Sequence, residues 1–477
     1  MKLTRKDILT VKHVQTMGFE KAGHFACTGV STDSRTVHSG DLFIAVHGDT
    51  FDGHSFLTKA VEAGAAGLVI DTKWADANPI LLSSLNAPRL IVQDTVRALG
   101  QLATAYRRRF KIPVLVIGGS NGKTTTKDMV LAALGAKYKV LATEGNLNNH
   151  IGVPHTLFQL EKKHQIAVIE IGTNHFGEIA YLCSIIEPTH ALVTNVGREH
   201  LEFFGSLGGA AKAEGEAFEW LRTNRPKTAT GFVNSDDARL LKKAQGLKKL
   251  IPFGFGKHAA VKGRLLSMNE SACARLEVKA KGRKPFVVEL SVPGKHNARN
   301  ALAAATVGLF FRVPAAKILK ALSSFTGSSK RLQLVKLDRV TILNDTYNAN
   351  PDSVMAAFET LRAARTTGKK IAVLADMLEL GESALDEHRR IGQAVARYGI
   401  EYLLTYGAMA QHIHDAAATK FKAHYDQKNI LSEYLAELLT DGDIVLIKGS
   451  RGMKMEDVVT FLTERAKGAH GTPEQGA

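Results

Sequence analysis

Short runs of β-branched and aliphatic residues alternate with longer stretches of helical periodicity along most of the chain, the pattern of parallel sheets covered by helices. In the first hundred or so positions, Leu42–Val46, Leu68–Ile70 and Leu90–Val92 read as strands, and Ser55–Ala63 reads as a helix closed by Gly64. The pattern restarts after Ile112 with a wholly apolar strand, Val114–Ile117, then a glycine-rich turn and the helix Lys123–Leu134. Further buried strands are expected at Ile166–Ile171 and Ala191–Val196. From Val261 to Val292 polar and apolar residues alternate as in an antiparallel ribbon, and Ala298–Phe310 reads as a helix.

The remainder repeats strand and helix in turn: Thr341–Leu343, Val354–Ala364, Ile371–Leu374, Glu387–Tyr398, Tyr402–Thr405, Ile430–Leu439 and Ile444–Ile447. The expected fold is therefore α/β in three domains. A small N-terminal α/β domain spans 1–110, a central P-loop ATPase-like parallel-sheet domain 111–325, and a doubly wound, Rossmann-like domain 326–466. Residues 467–477, rich in glycine, proline and charge, read as a disordered tail.

Composition narrows the partners. The net charge of +16 suits nucleic acid, a membrane surface or a small polyanionic substrate. The basic residues fall in short groups, Arg107-Arg108-Arg109 and Lys242-Lys243, without the aromatic interleaving of a nucleic-acid groove, so no nucleic-acid partner is expected. Cys27, Cys183 and Cys273 have unrelated spacings and form neither a disulfide framework nor a metal knuckle, which fits a reducing compartment. Lys2, Arg5 and Lys6 near the start are not followed by an apolar segment, and no membrane-length apolar stretch occurs, so a cytoplasmic protein without integral membrane association is expected.

The string Gly118-Gly119-Ser120-Asn121-Gly122-Lys123-Thr124-Thr125 lies between a buried strand and a helix, the context that turns glycines into a phosphate site. Small residues let backbone N–H groups close on phosphate oxygens. Lys123 can place its charge at the terminal phosphates, and the Thr124 hydroxyl can reach Mg²⁺. A tight turn would need the glycines but not the Lys-Thr pair. Ile117 stands where the usual loop has its first glycine, and this shortened form resembles the loop of the Mur ligase superfamily, a resemblance that extends over almost the whole chain.

That resemblance implies an ATP- and Mg²⁺-dependent amide-bond ligase. Asn146-Leu147-Asn148-Asn149-His150 resembles the family's substrate-proximal loop. Glu170-Ile171-Gly172-Thr173-Asn174-His175 and Asn195-Val196-Gly197-Arg198-Glu199-His200 resemble its metal-proximal segments. Both follow expected strands, and strand carboxyl ends are where open parallel sheets bind ligands. Taken singly, Glu170 reads more readily as a surface carboxylate and His200 as a satisfied loop histidine.

Fourteen positions beyond His200 the family commonly carries a carbamylated lysine, and this chain has Glu214. Lys212, two residues earlier, falls on nearly the opposite helical face. Either Glu214 supplies the carbamate's negative charge permanently, or a local insertion shifts the register. The implied metal set is thus Thr124, Glu170, His200 and Glu214, with Lys123 catalytic beside them.

For ATP the resemblance implies Gly119 through Thr125 (Gly119, Ser120, Asn121, Gly122, Lys123, Thr124, Thr125), then Asn297 and Asn300 from Gly294-Lys295-His296-Asn297-Ala298-Arg299-Asn300, Arg331, and Asp345 near the ribose. Asp345-Thr346-Tyr347-Asn348-Ala349-Asn350-Pro351-Asp352-Ser353 resembles the branch that accepts D-alanyl-D-alanine, and no Asp-Asn-Pro-Arg string of the diaminopimelate-adding branch occurs. Thr32-Asp33-Ser34-Arg35 and Phe51-Asp52-Gly53-His54 resemble UDP-sugar docking segments. Ser34, Arg35, Asn148, Asn348, Asn350 and Lys448 are accordingly the implied substrate contacts. UDP-N-acetylmuramoyl-tripeptide and D-alanyl-D-alanine are the implied substrates, and a monomer is expected. The alternatives are another amide ligase of the family, adding diaminopimelate or lysine or resembling folylpolyglutamate synthetase, and a nucleic-acid-binding P-loop ATPase.

Overall fold

A computed structural model describes residues 1–18, 25–48, 51–338 and 340–469. They form two compact units. The first comprises Met1–Val116, Tyr138–Thr173 and Gly177–His190, and the second Ile117–Lys137, Asn174–Phe176 and the chain from Ala191 onward. Both are α/β.

In the first unit a five-stranded sheet takes the order Gln15–Met17, Arg89–Val92, Gly67–Asp71, Asp41–Ile44, Gly29–Ser31, antiparallel only at its first pairing. Leu68, Ile70, Phe43 and Ile91 face a core completed by Leu57 and Ala60. The helix expected over Ser55–Ala63 divides in two. Asp52 accepts from the His54 N–H and starts a 3-10 turn, Gly53–Phe56, before the α-helix Leu57–Glu62. Ile166–Glu170 pairs in parallel with Val140–Ala142 and is buried throughout.

In the second unit the helix Lys123–Gly135 packs against Lys295–Phe310. Thr230–Asn234, Lys249–Gly254 and Val261–Met268 pair in parallel, and Val261–Met268, Cys273–Ala280 and Phe286–Pro293 then form the antiparallel ribbon that the alternation predicts.

A six-stranded sheet follows, in the order Gln333–Leu337, Val340–Asp345, Ile444–Lys448, Lys370–Ala375, Tyr402–Tyr406, Phe421–Tyr425. All its pairings but the first are parallel. Alternation along each strand makes it doubly wound. Leu343, Ala372, Leu374, Leu403 and Leu446 pack with Val354, Phe358, Ile391 and Val395 on one face. Ile342, Ile371, Val373, Leu404, Val445 and Ile447 pack with Leu431, Leu435, Val458 and Leu462 on the other. The last helix, Glu456–Ala469, takes in the start of the expected tail, and residues 470–477 lie outside the described residues. Among the described residues no helix is long and apolar enough to cross a membrane.

Candidate active site

The phosphate-loop string forms the bend between the buried strand Val114–Gly118 and the helix Lys123–Gly135. Two glycines make the bend sterically possible. Gly119 has φ +118°, and a Cβ there would lie 2.1 Å from the Thr194 hydroxyl; Gly122, at φ +78°, would meet the Asn300 amide at 2.9 Å. Asn300 donates to Asn297 Oδ1 at 3.0 Å, and Asn297 donates to the Pro293 carbonyl at 2.7 Å, so both predicted asparagines form a relay that ends against the loop.

The strand expected over Ala191–Val196 stops at Val193. Thr194 and Asn195 turn to the loop instead: the Thr194 hydroxyl and the Asn195 amide each donate to the Asn121 carbonyl at 2.7 Å, and Asn195 Oδ1 accepts the Asn121 N–H at 3.0 Å. Side chains that satisfy a neighbouring loop compete with the ladder and end the strand.

Inside this bend three ionisable side chains converge. Lys123 Nζ donates to the Gly119 carbonyl at 2.6 Å and lies 3.4 Å from Glu199 Oε2. Glu214, projected from the helix Leu207–Asn224, is 1% exposed, and its Oε2 accepts the Gly119 N–H at 2.6 Å. Burial pushes the Glu214 carboxyl up to about 8; the Glu199 carboxylate adds to the rise and Lys123 opposes it. Glu199 Oε1 is buried without a hydrogen-bond partner. Thr124 and Thr125 are buried at the helix start. Lys212 Nζ sits 5.0 Å over the Phe176 ring, its ammonium committed to an aromatic face.

His200 has φ +47°, and its Nδ1 lies 2.8 Å from Glu379 Oε2, with Phe204 edge-on to the ring. The close approach of the His200 ring lowers the Glu379 carboxyl. Among the described residues no group of three or more His, Cys, Asp or Glu side chains is gathered in metal-holding geometry. Glu170, in the first unit, is buried, and its Oε1 accepts from Asn148 Nδ2 at 2.8 Å, which joins two of the predicted residues. In that unit Arg35 is exposed and paired to Asp33, whose carboxyl it holds down to about 2, with Ser34 between them.

The C-terminal residues meet at the ends of two adjacent parallel strands. Asp345 is in register with Lys448, whose Nζ donates to Asp345 Oδ2 at 2.6 Å and to the Asn348 carbonyl at 2.8 Å. Asp345 Oδ1 accepts the Leu332 N–H at 3.1 Å, and the Arg331 guanidinium stacks 3.8 Å from the centre of the Tyr347 ring. His296, facing these charges, is driven down to about 4 by desolvation and is neutral at neutral pH. Asn350 Nδ2 donates to Asn121 Oδ1 at 2.9 Å, which connects this segment directly to the phosphate loop.

Sequence reasoning passed over Glu199, Asp352 and Glu379. Glu199 stands inside the metal-proximal string beside His200, and its signal was a carboxylate adjacent to a residue already chosen. The partners of Asp352 and Glu379 are distant in sequence and left no local signal.

Comparison with known proteins identifies the family. The Mur ligase family, catalytic domain model matches residues 26–107, the Mur ligase middle domain 117–308, and the Mur ligase, glutamate ligase domain 330–451. The chain belongs to the Mur ligase family. It is 37% identical over 441 residues to the UDP-N-acetylmuramoyl-tripeptide–D-alanyl-D-alanine ligase of Bacillus subtilis (strain 168), covering 91% of this chain and 93% of that protein. A MurF crystal structure from Acinetobacter baumannii superposes with TM-score 0.86 at 30% identity, covering 97% of this chain and 99% of the other. The MurF ligase of Thermotoga maritima in complex with ADP gives TM-score 0.82 at 27% identity, covering 92% and 98%.

Proposed function

We propose that this chain is an ATP-dependent ligase that joins D-alanyl-D-alanine to UDP-N-acetylmuramoyl-tripeptide, acting as a cytoplasmic monomer in bacteria. The observation that carries the reading is the convergence of Lys123, Glu199 and Glu214 inside a glycine bend at a helix N-terminus. Likeness over nine-tenths of the chain to a ligase of that name supports the substrate pair.

A carboxylate resists attack by an amine until one of its oxygens becomes a leaving group. In the proposed reaction a tripeptide carboxylate oxygen attacks the terminal phosphorus of ATP, ADP departs, and an acyl phosphate results. The amine of D-alanyl-D-alanine then attacks the acyl carbon, loses a proton, and inorganic phosphate leaves as the amide forms. Lys123 exchanges the Gly119 carbonyl for a phosphate oxygen, and backbone amides at the start of the helix Lys123–Gly135 supply further donors. Arg331, lifted on Tyr347, contributes a second cation, and Asn297 and Asn300 brace the loop beneath the nucleotide.

A hard-oxygen donor set suits Mg²⁺, and the unpartnered buried Oε1 of Glu199 is a place for such charge. Thr124, Glu199 and Glu214 would hold the ion, with Glu170 and His200 as the contributions the family resemblance implies. Bound there, it would screen the negative charge of the phosphates. Glu214 would supply, once a bound cation displaces its proton, the negative charge that the family resemblance assigns to a carbamylated lysine. Asp345 serves the ribose, while Asn348, Asn350 and Lys448 receive D-alanyl-D-alanine, and Ser34, Arg35 and Asn148 the UDP-muramoyl-tripeptide.

The test is phosphate release with ATP and UDP-muramoyl-tripeptide, adding D-alanyl-D-alanine, L-alanine, diaminopimelate, or folate with glutamate in turn. Release and ligation only with D-alanyl-D-alanine are expected. Turnover with another acceptor instead would overturn the substrate assignment.

A further inference from the structure

The first turn of the helix Pro351–Ala363 holds the phosphate loop and its neighbouring loop at two separate points. Asn350 donates to Asn121 Oδ1 at 2.9 Å. Asp352 accepts the Arg198 backbone N–H on Oδ2 at 2.7 Å and the Arg198 guanidinium on Oδ1 at 2.9 Å. Arg198 Nε lies 3.3 Å from Glu387 Oε1, so the guanidinium is gripped from two elements. A Cβ at Gly197 would lie 2.9 Å from Asn121 Nδ2 and 3.0 Å from Asp352 Oδ2, which leaves the loop no room to spread.

Asp352 is not required as a cap. Asn350 and Ser353 already form a reciprocal capping box, so both Asp352 oxygens are committed to Arg198. Both side chains of the ion pair are 31% exposed, and a pair so accessible adds little to global stability. What the contact does fix is position. The residue after Arg198 is Glu199, which sits 3.4 Å from Lys123.

We infer that Asp352 is a positioning residue for ligation: by clamping Arg198 it places Glu199 and, through it, the Lys123 ammonium. The Asn350–Asn121 bond secures the same turn to the loop itself. A displacement of the segment Asn348–Ser353 is thereby passed to the phosphate-binding groups, so the second substrate's side of the enzyme and its nucleotide loop adjust together. The inference rests on the reading of the loop as the nucleotide site.

The experiment is steady-state phosphate release by the full chain for Asp352→Ala, Arg198→Ala, the double variant and Asp352→Asn, with Lys123→Ala alongside and thermal midpoints recorded. Each alanine variant is expected to lose about tenfold or more in kcat with its thermal midpoint and the KM for muramoyl-tripeptide unchanged, and the double variant to be no worse than the poorer single. Asp352→Asn, which still accepts the Arg198 N–H, should fall between wild type and Asp352→Ala. Additive losses, or wild-type kcat in Asp352→Ala, overturn the inference. If Asp352→Ala does not fold, Arg198→Ala and Asp352→Asn decide it, and wild-type kcat in both is the contrary result. Wild-type turnover in Lys123→Ala would instead sink the nucleotide-loop reading, so the two failures are told apart.

Discussion

Lys123 Nζ lies 3.4 Å from Oε2 of Glu199, with side chains only 16% and 7% exposed. In so enclosed a place an ammonium and a carboxylate interact far more strongly than at the surface, and neither moves without the other. Glu199 therefore restrains the cation that the proposed chemistry needs. Glu199→Gln should lower kcat by about 10²-fold, the loss typical of removing one preorganised charge-stabilising group, with little change in the KM for muramoyl-tripeptide. Steady-state phosphate release checks this, and an unaltered kcat would contradict it.

Gly119 adopts φ +118°, with the Thr194 hydroxyl 2.1 Å from where a Cβ would be. Gly119→Ala combines a disfavoured backbone conformation with a steric clash, and should cost about 2–4 kcal/mol as well as weakening nucleotide binding. Chemical denaturation and titration with an ATP analogue are the two measurements. A wild-type denaturation midpoint would count against the geometry of the bend.

The sequence carried the architecture well where periodicity was strong. The apolar strand before Lys123, the antiparallel ribbon of Val261–Val292 and the two-faced strands of the last sheet all follow from alternation, because burial of one or both faces dictates residue type. Phe421–Tyr425 escaped notice. It is an edge strand, half-buried at every position, and reads Phe-Lys-Ala-His-Tyr without a clear apolar face. Gln411–Ala416 is too short to show a helical period.

Within the site the loop itself was legible because its residues are contiguous, whereas the clamp was not. Arg198 and Asp352 are 154 positions apart, and only the folded chain brings them within hydrogen-bonding distance. Glu214 was singled out by its spacing from His200, but its contact with the Gly119 N–H depends on how its helix lies against the loop.

The Glu214 carboxyl is raised to about 8 by burial. A raised carboxyl means that the folded protein keeps a proton which the unfolded chain has released. Its contribution to stability is thus present at low pH and is lost as pH climbs towards about 8. Without nucleotide, wild type should lose thermal stability between about pH 5 and about pH 9 more steeply than Glu214→Gln, which cannot titrate. Parallel melting profiles for the two proteins would refute the assignment.

A glutamate whose proton is displaced by a bound cation supplies negative charge without carbon dioxide. Activity should therefore be unchanged by added bicarbonate, measured as initial rate in carbon-dioxide-depleted buffer with and without supplementation. Stimulation, or a carbamate on Lys212 detected by carbon-13 NMR, would show that another group supplies the charge.

The central claim is that the bend at Gly119–Thr125 grips ATP so that its terminal phosphoryl group passes to a peptide carboxylate. Phosphate release and amide formation by Lys123→Ala, measured with saturating ATP, UDP-muramoyl-tripeptide and D-alanyl-D-alanine, test it most directly. A fall of about 10²-fold or more in both rates is predicted, since the cation at the terminal phosphate is gone. Ligation at the wild-type rate would contradict the account.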